Sequence, residues 1–242
     1  MKRVLFIIII VVNFTACESE QRLLSIDTIP CMEAYVGDRI VLAVSHTPPD
    51  ALVPAFHFKT SNPFVASGNE QGAVICNRVG TCTIKVATAD TRFSTTCTLN
   101  VKPNNELYDE PIVSFNTTKT AIKLIESNQT IVFENATMIV YQGTKSPIQQ
   151  VIYIFDEKQK LISSTVKLAV NIYSELTSFM AERYDRYQPT VRTELTVWKG
   201  NNLEVAIKIT NDACFVVYQP FLGDATCTTA IRTVETILSM NI

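Results

Sequence analysis

The sequence predicts a multi-domain chain, an all-β sandwich followed by an α+β domain with a mainly antiparallel sheet. Three observations predict it. Between Leu23 and Pro103, short apolar runs alternate with period two and are punctuated by turn residues. Beyond Pro103, stretches with a period near 3.6 join the alternating ones, as an α+β unit requires. Finally, 242 residues with 47% hydrophobic content supply two cores of ordinary size.

The first residues stand apart from both domains. Lys2 and Arg3 precede an unbroken apolar stretch from Val4 to Val12, and Phe14-Thr15-Ala16-Cys17 closes it with small residues. This is the layout of a secretory signal over residues 1–16, too short to cross a bilayer as a helix. A cysteine directly after the small residues resembles the lipobox of bacterial lipoproteins, with Phe14 where leucine is usual. The resemblance implies lipidation at Cys17 and a tether over residues 17–22. Glu18 and Glu20 resemble the acidic export tag of surface lipoproteins in Bacteroides-type bacteria, and Asp27-Thr28-Ile29 resembles their O-glycosylation site. Without Lys2 and Arg3 the formal charge moves from -2 to -4. An acidic chain without basic clusters argues against nucleic acid as a partner.

In the first domain, residues 23–103, Gly37-Asp38 is a turn signal ahead of the apolar run from Ile40 to Val44. Cys82, Ile84 and Val86 share one strand face, as do Phe93, Thr95, Cys97, Leu99 and Val101. A tight connection at Ala89-Asp90 would make facing residue numbers sum to 179, which sets Cys82 opposite Cys97. An exported chain with six cysteines after Cys17 suggests disulfides. The expected bridges are Cys82–Cys97 and Cys31–Cys76. The string from Thr60 to Ser67 (TSNPFVAS), Gly72 before Val74, GTCTIKV from Gly80, and TTCTLNV from Thr95 together resemble a bacterial Ig-like group 2 domain. Phe58 stands where that family carries an aromatic ahead of its Ser-Asn-Pro segment, while the insert from Pro48 to Pro54 departs from the pattern. The resemblance implies an Ig-like β-sandwich acting as a stalk or adhesive module.

Asn104-Asn105-Glu106 reads as a linker to the second domain, residues 108–242. Thr118 is an N-cap for a short helix to Ser127, with Ala121, Leu124 and Ile125 on one face. Strands follow over 130–141, with a bend near Asn135, then over 151–155 and 161–164. Val166, Ala169, Val170, Tyr173, Leu176, Met180 and Tyr184 then space a long helix from Thr165 to Tyr187, stopped by Pro189. Strands over 191–198, 203–210 and 214–219 precede a terminal helix carrying Ile231, Val234, Ile237 and Leu238. Cys214 and Cys227 would staple strand to helix, worth roughly 3 kcal/mol in the chain-entropy model. IVYQG from Ile139 resembles TVWKG from Thr196, and each precedes a further strand, VIYIFDE or VAIKITN. This suggests two helix-plus-three-strand units. Such a tandem resembles β-lactamase-inhibitor-like and outer-membrane-assembly lipoproteins.

Catalytic chemistry is hard to find. His46 and His57 have no carboxylate or cysteine at ligand spacing, and no GxSxG, SxxK, HExxH or phosphate loop occurs. No cofactor, metal site or catalytic residue is therefore expected. Glu182 and Asp185, beside Arg183 and Arg186, read as a solvated, salt-bridged helix end. Tyr187, Trp198 and Tyr218 form a binding surface if Trp198 points outward; burial under the helix is the alternative. The expected protein is a non-enzymatic lipoprotein of the outer membrane, using an Ig-like spacer to present a protein- or glycan-binding domain. The alternatives are a periplasmic assembly or inhibitor-like factor that binds another envelope protein, and a glycan or peptide hydrolase.

Overall fold

A computed structural model describes residues 22–239, except 54, 70, 190–194 and 223–224, and except the side chains of 225–228 and 231. The signal segment and Cys17 lie outside the described residues. Strands dominate, and with one exception their pairings are antiparallel.

The first nine strands are β1 (Ser25–Ile26), β2 (Met32–Tyr35), β3 (Arg39–Val41), β4 (His46–Thr47), β5 (Phe56–Thr60), β6 (Ala66–Gly68), β7 (Ala73–Cys76), β8 (Gly80–Thr88) and β9 (Ser94–Lys102). They form a sheet in the order β2-β9-β8-β5, a second in the order β3-β7-β6, and the pair β1-β4. β2 joins β9 in parallel. The two larger sheets share one core, with Val74 and Cys76 from one meeting Ile84, Val86 and Leu99 from the other. Alternation along β8 and β9 thus does what the sequence leads one to expect. Phe58 and Gly72 meet here: Gly72 has φ +77°, and a Cβ on it would come within 2.8 Å of the Phe58 ring.

The cysteine pairings differ from expectation. Asp90 caps the β8–β9 turn, accepting from the Thr88 hydroxyl at 2.6 Å and the Arg92 amide at 3.1 Å. The turn is therefore centred one residue later, at Asp90-Thr91, and each facing partner shifts by two residues. Cys82 faces Leu99 and Cys97 faces Ile84. Diagonal neighbours on paired strands lie about 7–8 Å apart, beyond the reach of a disulfide. Cys31 is exposed whereas Cys76 is buried, and Cys31, Cys76, Cys82, Cys97 and Cys214 are all free thiols.

The rest of the chain builds one eight-stranded sheet. Its elements are α1 (Lys119–Ile125), β10 (Ile131–Glu134), β11 (Met138–Gln142), β12 (Ile148–Phe155), β13 (Leu161–Leu168), α2 (Tyr173–Ala181), β14 (Asp185–Tyr187), β15 (Thr196–Lys199), β16 (Leu203–Ile209), β17 (Cys214–Pro220) and α3 (Ala225–Ser239). The strand order is β10-β11-β12-β13-β17-β16-β15-β14. Each of α1 and α2 is followed by four strands rather than three, and the two sets meet through their last strands. Their registers match. Tyr141 faces Val151 as Trp198 faces Val205, and Val151 faces Val166 as Val205 faces Tyr218. Thr165 and Val217 are then counterparts, and they face each other across β13 and β17. A local two-fold axis passes between them.

Two helices differ from the sequence reading. Thr118 does cap α1, accepting from the Ala121 amide at 3.2 Å. However, Ile122 is its buried residue, and Leu124 and Ile125 are 77% and 61% exposed. The expected helix from Thr165 to Tyr187 is cut to Tyr173–Ala181, because residues 161–168 are a strand held between β12 and β17. α2 packs with Val166, Val205, Val216 and Tyr218 on one face of the sheet, while α3 packs with Phe215 and Val217 on the other. Cys214 belongs to the α2 face, where burial pushes its thiol up to about 11. Cys214 is a free thiol, and the side chain of Cys227, its expected partner, lies outside the described residues.

Candidate functional site

The binding surface expected from Tyr187, Trp198 and Tyr218 is largely a core. Trp198 is 5% exposed and Tyr218 is fully buried, because α2 covers that face of β15 and β17. Arg186 lies over the Trp198 ring at 5.2 Å. Tyr187 remains half-buried, edge-on to Phe221 at 5.7 Å, and the Lys199 ammonium sits 4.0 Å from the Phe221 ring. His46 Nδ1 is within 2.9 Å of the Pro48 carbonyl oxygen. Among the described residues, no three His, Cys, Asp or Glu side chains gather to hold a metal ion.

A cleft of about 410 Å³ instead opens where the N-terminal sheets meet the eight-stranded sheet. Asn62, Phe64 and Val65 line it from the N-terminal side, and Glu110, Phe115, Tyr184 and Asn201 from the other. Local turns set these positions. Asn62 accepts from the Phe64 amide at 3.2 Å, an Asx turn that fixes the loop before β6. The Gly200 amide donates to Leu203 O at 2.8 Å and closes the β15–β16 turn. Across the cleft, Asn201 Nδ2 donates to Asn62 Oδ1 at 3.4 Å.

Arg183 stands at the back of this cleft. Its side chain is 9% exposed, with the guanidinium 3.6 Å from the Phe179 ring centre. It donates to Phe179 O at 3.1 Å and Asn105 O at 3.4 Å, with Glu110 at 3.8 Å and Glu182 at 3.9 Å. Tyr184 donates to Glu110 Oε1 at 2.5 Å. Behind them Tyr108 and Tyr218 share a hydrogen bond of 2.5 Å, and Tyr108 stacks on Phe179 at 4.6 Å. Enclosure pushes the Glu110 carboxyl above its usual range, against the pull of Tyr184 and Arg183. Burial holds the Tyr108, Tyr184 and Tyr218 hydroxyls protonated far above the ordinary tyrosine range.

Asp185 is exposed and salt-bridged as expected, whereas Glu182 is largely enclosed. The Glu182 carboxylate accepts from the Asn104 amide at 2.9 Å and the Asn105 amide at 3.0 Å. Its backbone carbonyl accepts from the Val79 amide at 2.9 Å, and Asp185 pairs with Arg78. The end of α2 therefore clamps the linker and the N-terminal sheets together. Glu110, Arg183 and Tyr184 were missed in the sequence, where the one visible signal was an arginine among the acids after the α2 stripe.

No family model matches the chain. None of the curated proteins matches it either. Among solved structures, the crystal structure of domains 4 and 5 of the S-layer protein SbsC is similar over 83% of this chain and 88% of that one, at 11% identity and a TM-score of 0.25. A likeness at that score carries neither fold nor function. Among the described residues, no helix is long and apolar enough to cross a membrane.

Proposed function

We propose that the chain is an exported, lipid-anchored and non-enzymatic binding protein of the cell envelope, with a glycan as its ligand. An N-terminal Ig-like module and a C-terminal α+β module together form the binding cleft. The meeting of the signature positions Phe58 and Gly72 in one core supports the Ig-like reading. The observation that carries the glycan reading is the lining of the 410 Å³ cleft, where the Asn62 and Asn201 amides and Tyr184 stand beside the Phe64 and Phe115 rings. Amides grip ring hydroxyls, and aromatic faces cover the apolar side of a sugar. In this arrangement the Ig-like module is half of the site as well as a spacer.

The hydrolase reading gains little here, because Glu182 is committed to two backbone amides and Glu110 to Tyr184. The envelope-factor reading needs an open sheet face, and helices pack on both faces of this one. Titration calorimetry with soluble gluco-, manno- and chito-oligosaccharides tests the proposal. Asn201→Ala and Phe64→Ala are each expected to weaken binding about tenfold. No heat from any of these sugars, or full binding by both variants, would remove the glycan reading. Metabolic labelling with an alkyne fatty acid checks the anchor. Label is expected on the wild type and absent from Cys17→Ala; label on neither would leave an unanchored chain.

A further inference from the structure

A second cavity, of about 140 Å³, lies between the strap 108–111, the end of α1 and the β11–β12 loop. It shares only Glu110 with the cleft. Its size is close to the roughly 150 Å³ that accommodates a six-atom ring, so it suits a compact ligand head. Tyr141 lines it, is 2% exposed, and its hydroxyl has no hydrogen-bond partner among the described residues. An unpaired buried hydroxyl is costly, and such groups call for a missing partner. Tyr153, edge-on to Tyr141 at 6.0 Å, donates to Glu126 Oε1 at 2.6 Å, which leaves the second oxygen of Glu126 available on the same wall.

The charges lining the cavity decide what kind of partner fits. Asp109 and Glu126 are acidic, Glu110 is already committed to Tyr184 and Arg183, and Lys145, exposed on the loop, is the one basic group on the wall. A cation is favoured over an anion. The free Glu126 oxygen can only accept and the Tyr141 hydroxyl can accept as well as donate, so a cation that brings N–H donors suits both. We propose that this cavity binds the head of a small primary ammonium compound, its N–H groups shared between the Tyr141 hydroxyl oxygen and the Glu126 carboxylate. The site meets the glycan cleft only at Glu110. Gly143, whose Cβ would run into Ile148 O at 2.2 Å, lets this lining loop lie tight against β12.

Amide chemical-shift titration of the full chain with ethanolammonium tests this, with ethylene glycol and tetramethylammonium as controls. Saturable shifts around Gln142 to Lys145 are expected with ethanolammonium. Tetramethylammonium, which lacks N–H donors, should bind about tenfold more weakly, and the neutral glycol more weakly still. Tyr141→Phe and Glu126→Gln should each weaken ethanolammonium about tenfold, and Tyr141→Phe should not lower the Tm, since its hydroxyl has no structural partner. Three results would overturn the proposal: no saturable shift with ethanolammonium, equal binding of the glycol, or a lower Tm for Tyr141→Phe.

Discussion

Gly143→Ala is expected to lower stability by about 3 kcal/mol or more, the largest effect expected of a glycine-to-alanine change among the described residues. The new Cβ would stand 2.2 Å from Ile148 O and 2.7 Å from Ile148 C, both backbone atoms. Neither can turn away as a side chain does. Relief requires β12 to move, and β12 carries the register with both β11 and β13. The Gly143 amide also donates to Gln149 O at 2.8 Å, a bond that closes the same loop. Gly200, its counterpart in the second set of strands, provides the contrast. A Cβ there meets the Tyr184 ring at 3.2 Å and Leu203 Cβ at an ordinary 3.6 Å, and a ring can tilt. Gly200→Ala should therefore cost about 1 kcal/mol. Thermal unfolding of the two variants reads the difference directly. At 2–4 °C per kcal/mol, a chain of this size should lose roughly 10 °C for Gly143→Ala and a few degrees for Gly200→Ala. Equal shifts would mean that the two loops are not held in the way described.

Arg183→Met should cost about 3 kcal/mol and loosen the joint between the two halves of the molecule. The substitution keeps the apolar stem over Phe179 but removes the charge facing Glu110 and Glu182. Breaking a buried pair typically costs 3–5 kcal/mol. The low end applies because Glu110 keeps 31% exposure and water can reach it. The sign of the pH dependence follows from Glu110. Its carboxyl lies above the usual range, so between its unfolded and folded values the native chain holds the extra proton, and stability falls as pH rises. Without the guanidinium that window widens. The loss should be larger at neutral pH than under mildly acidic conditions, where Glu110 is protonated. Urea titrations at both pH values, with limited proteolysis at residues 103–106, check it. A pH-independent loss would mean that Arg183 acts through packing alone.

How much of this was legible in the sequence depended on the distance over which the relevant contacts act. In β8 and β9 the alternation of Cys82, Ile84 and Val86 identified the buried face, because one strand's two sides are written in its own residues. The register was two residues off, which keeps the faces, since the turn is fixed by Asp90 bonds to the Thr88 hydroxyl and the Arg92 amide that a centred-turn rule does not weigh. The apolar spacing from Val166 to Tyr184 is close to helical, yet Val166 and Leu168 alternate on a strand face, and the pairing partners that decide the matter lie in β12 and β17. Ile122 displaced Leu124 and Ile125 as the anchor of α1 because only the position of the sheet fixes which side of so short a helix is inside. The cleft was the least legible part. Tyr184 and Glu110 stand 74 positions apart in the chain, and neither carries a motif. The resemblance between IVYQG and TVWKG was a modest signal, yet it marked equivalent strands with equivalent partners.

The pairing of β13 with β17 has a further meaning for the sheet's solubility. Among the described residues it is the one strand pairing that joins the two four-stranded sets, through the five pairs from Ser164↔Tyr218 to Leu168↔Cys214. Either set by itself would end in a bare strand, its amides and carbonyls turned outward as a template for any passing chain. Joined at the two-fold axis, each set caps the other's adhesive margin, and the exposed rims fall to the short outer strands β10 and β14.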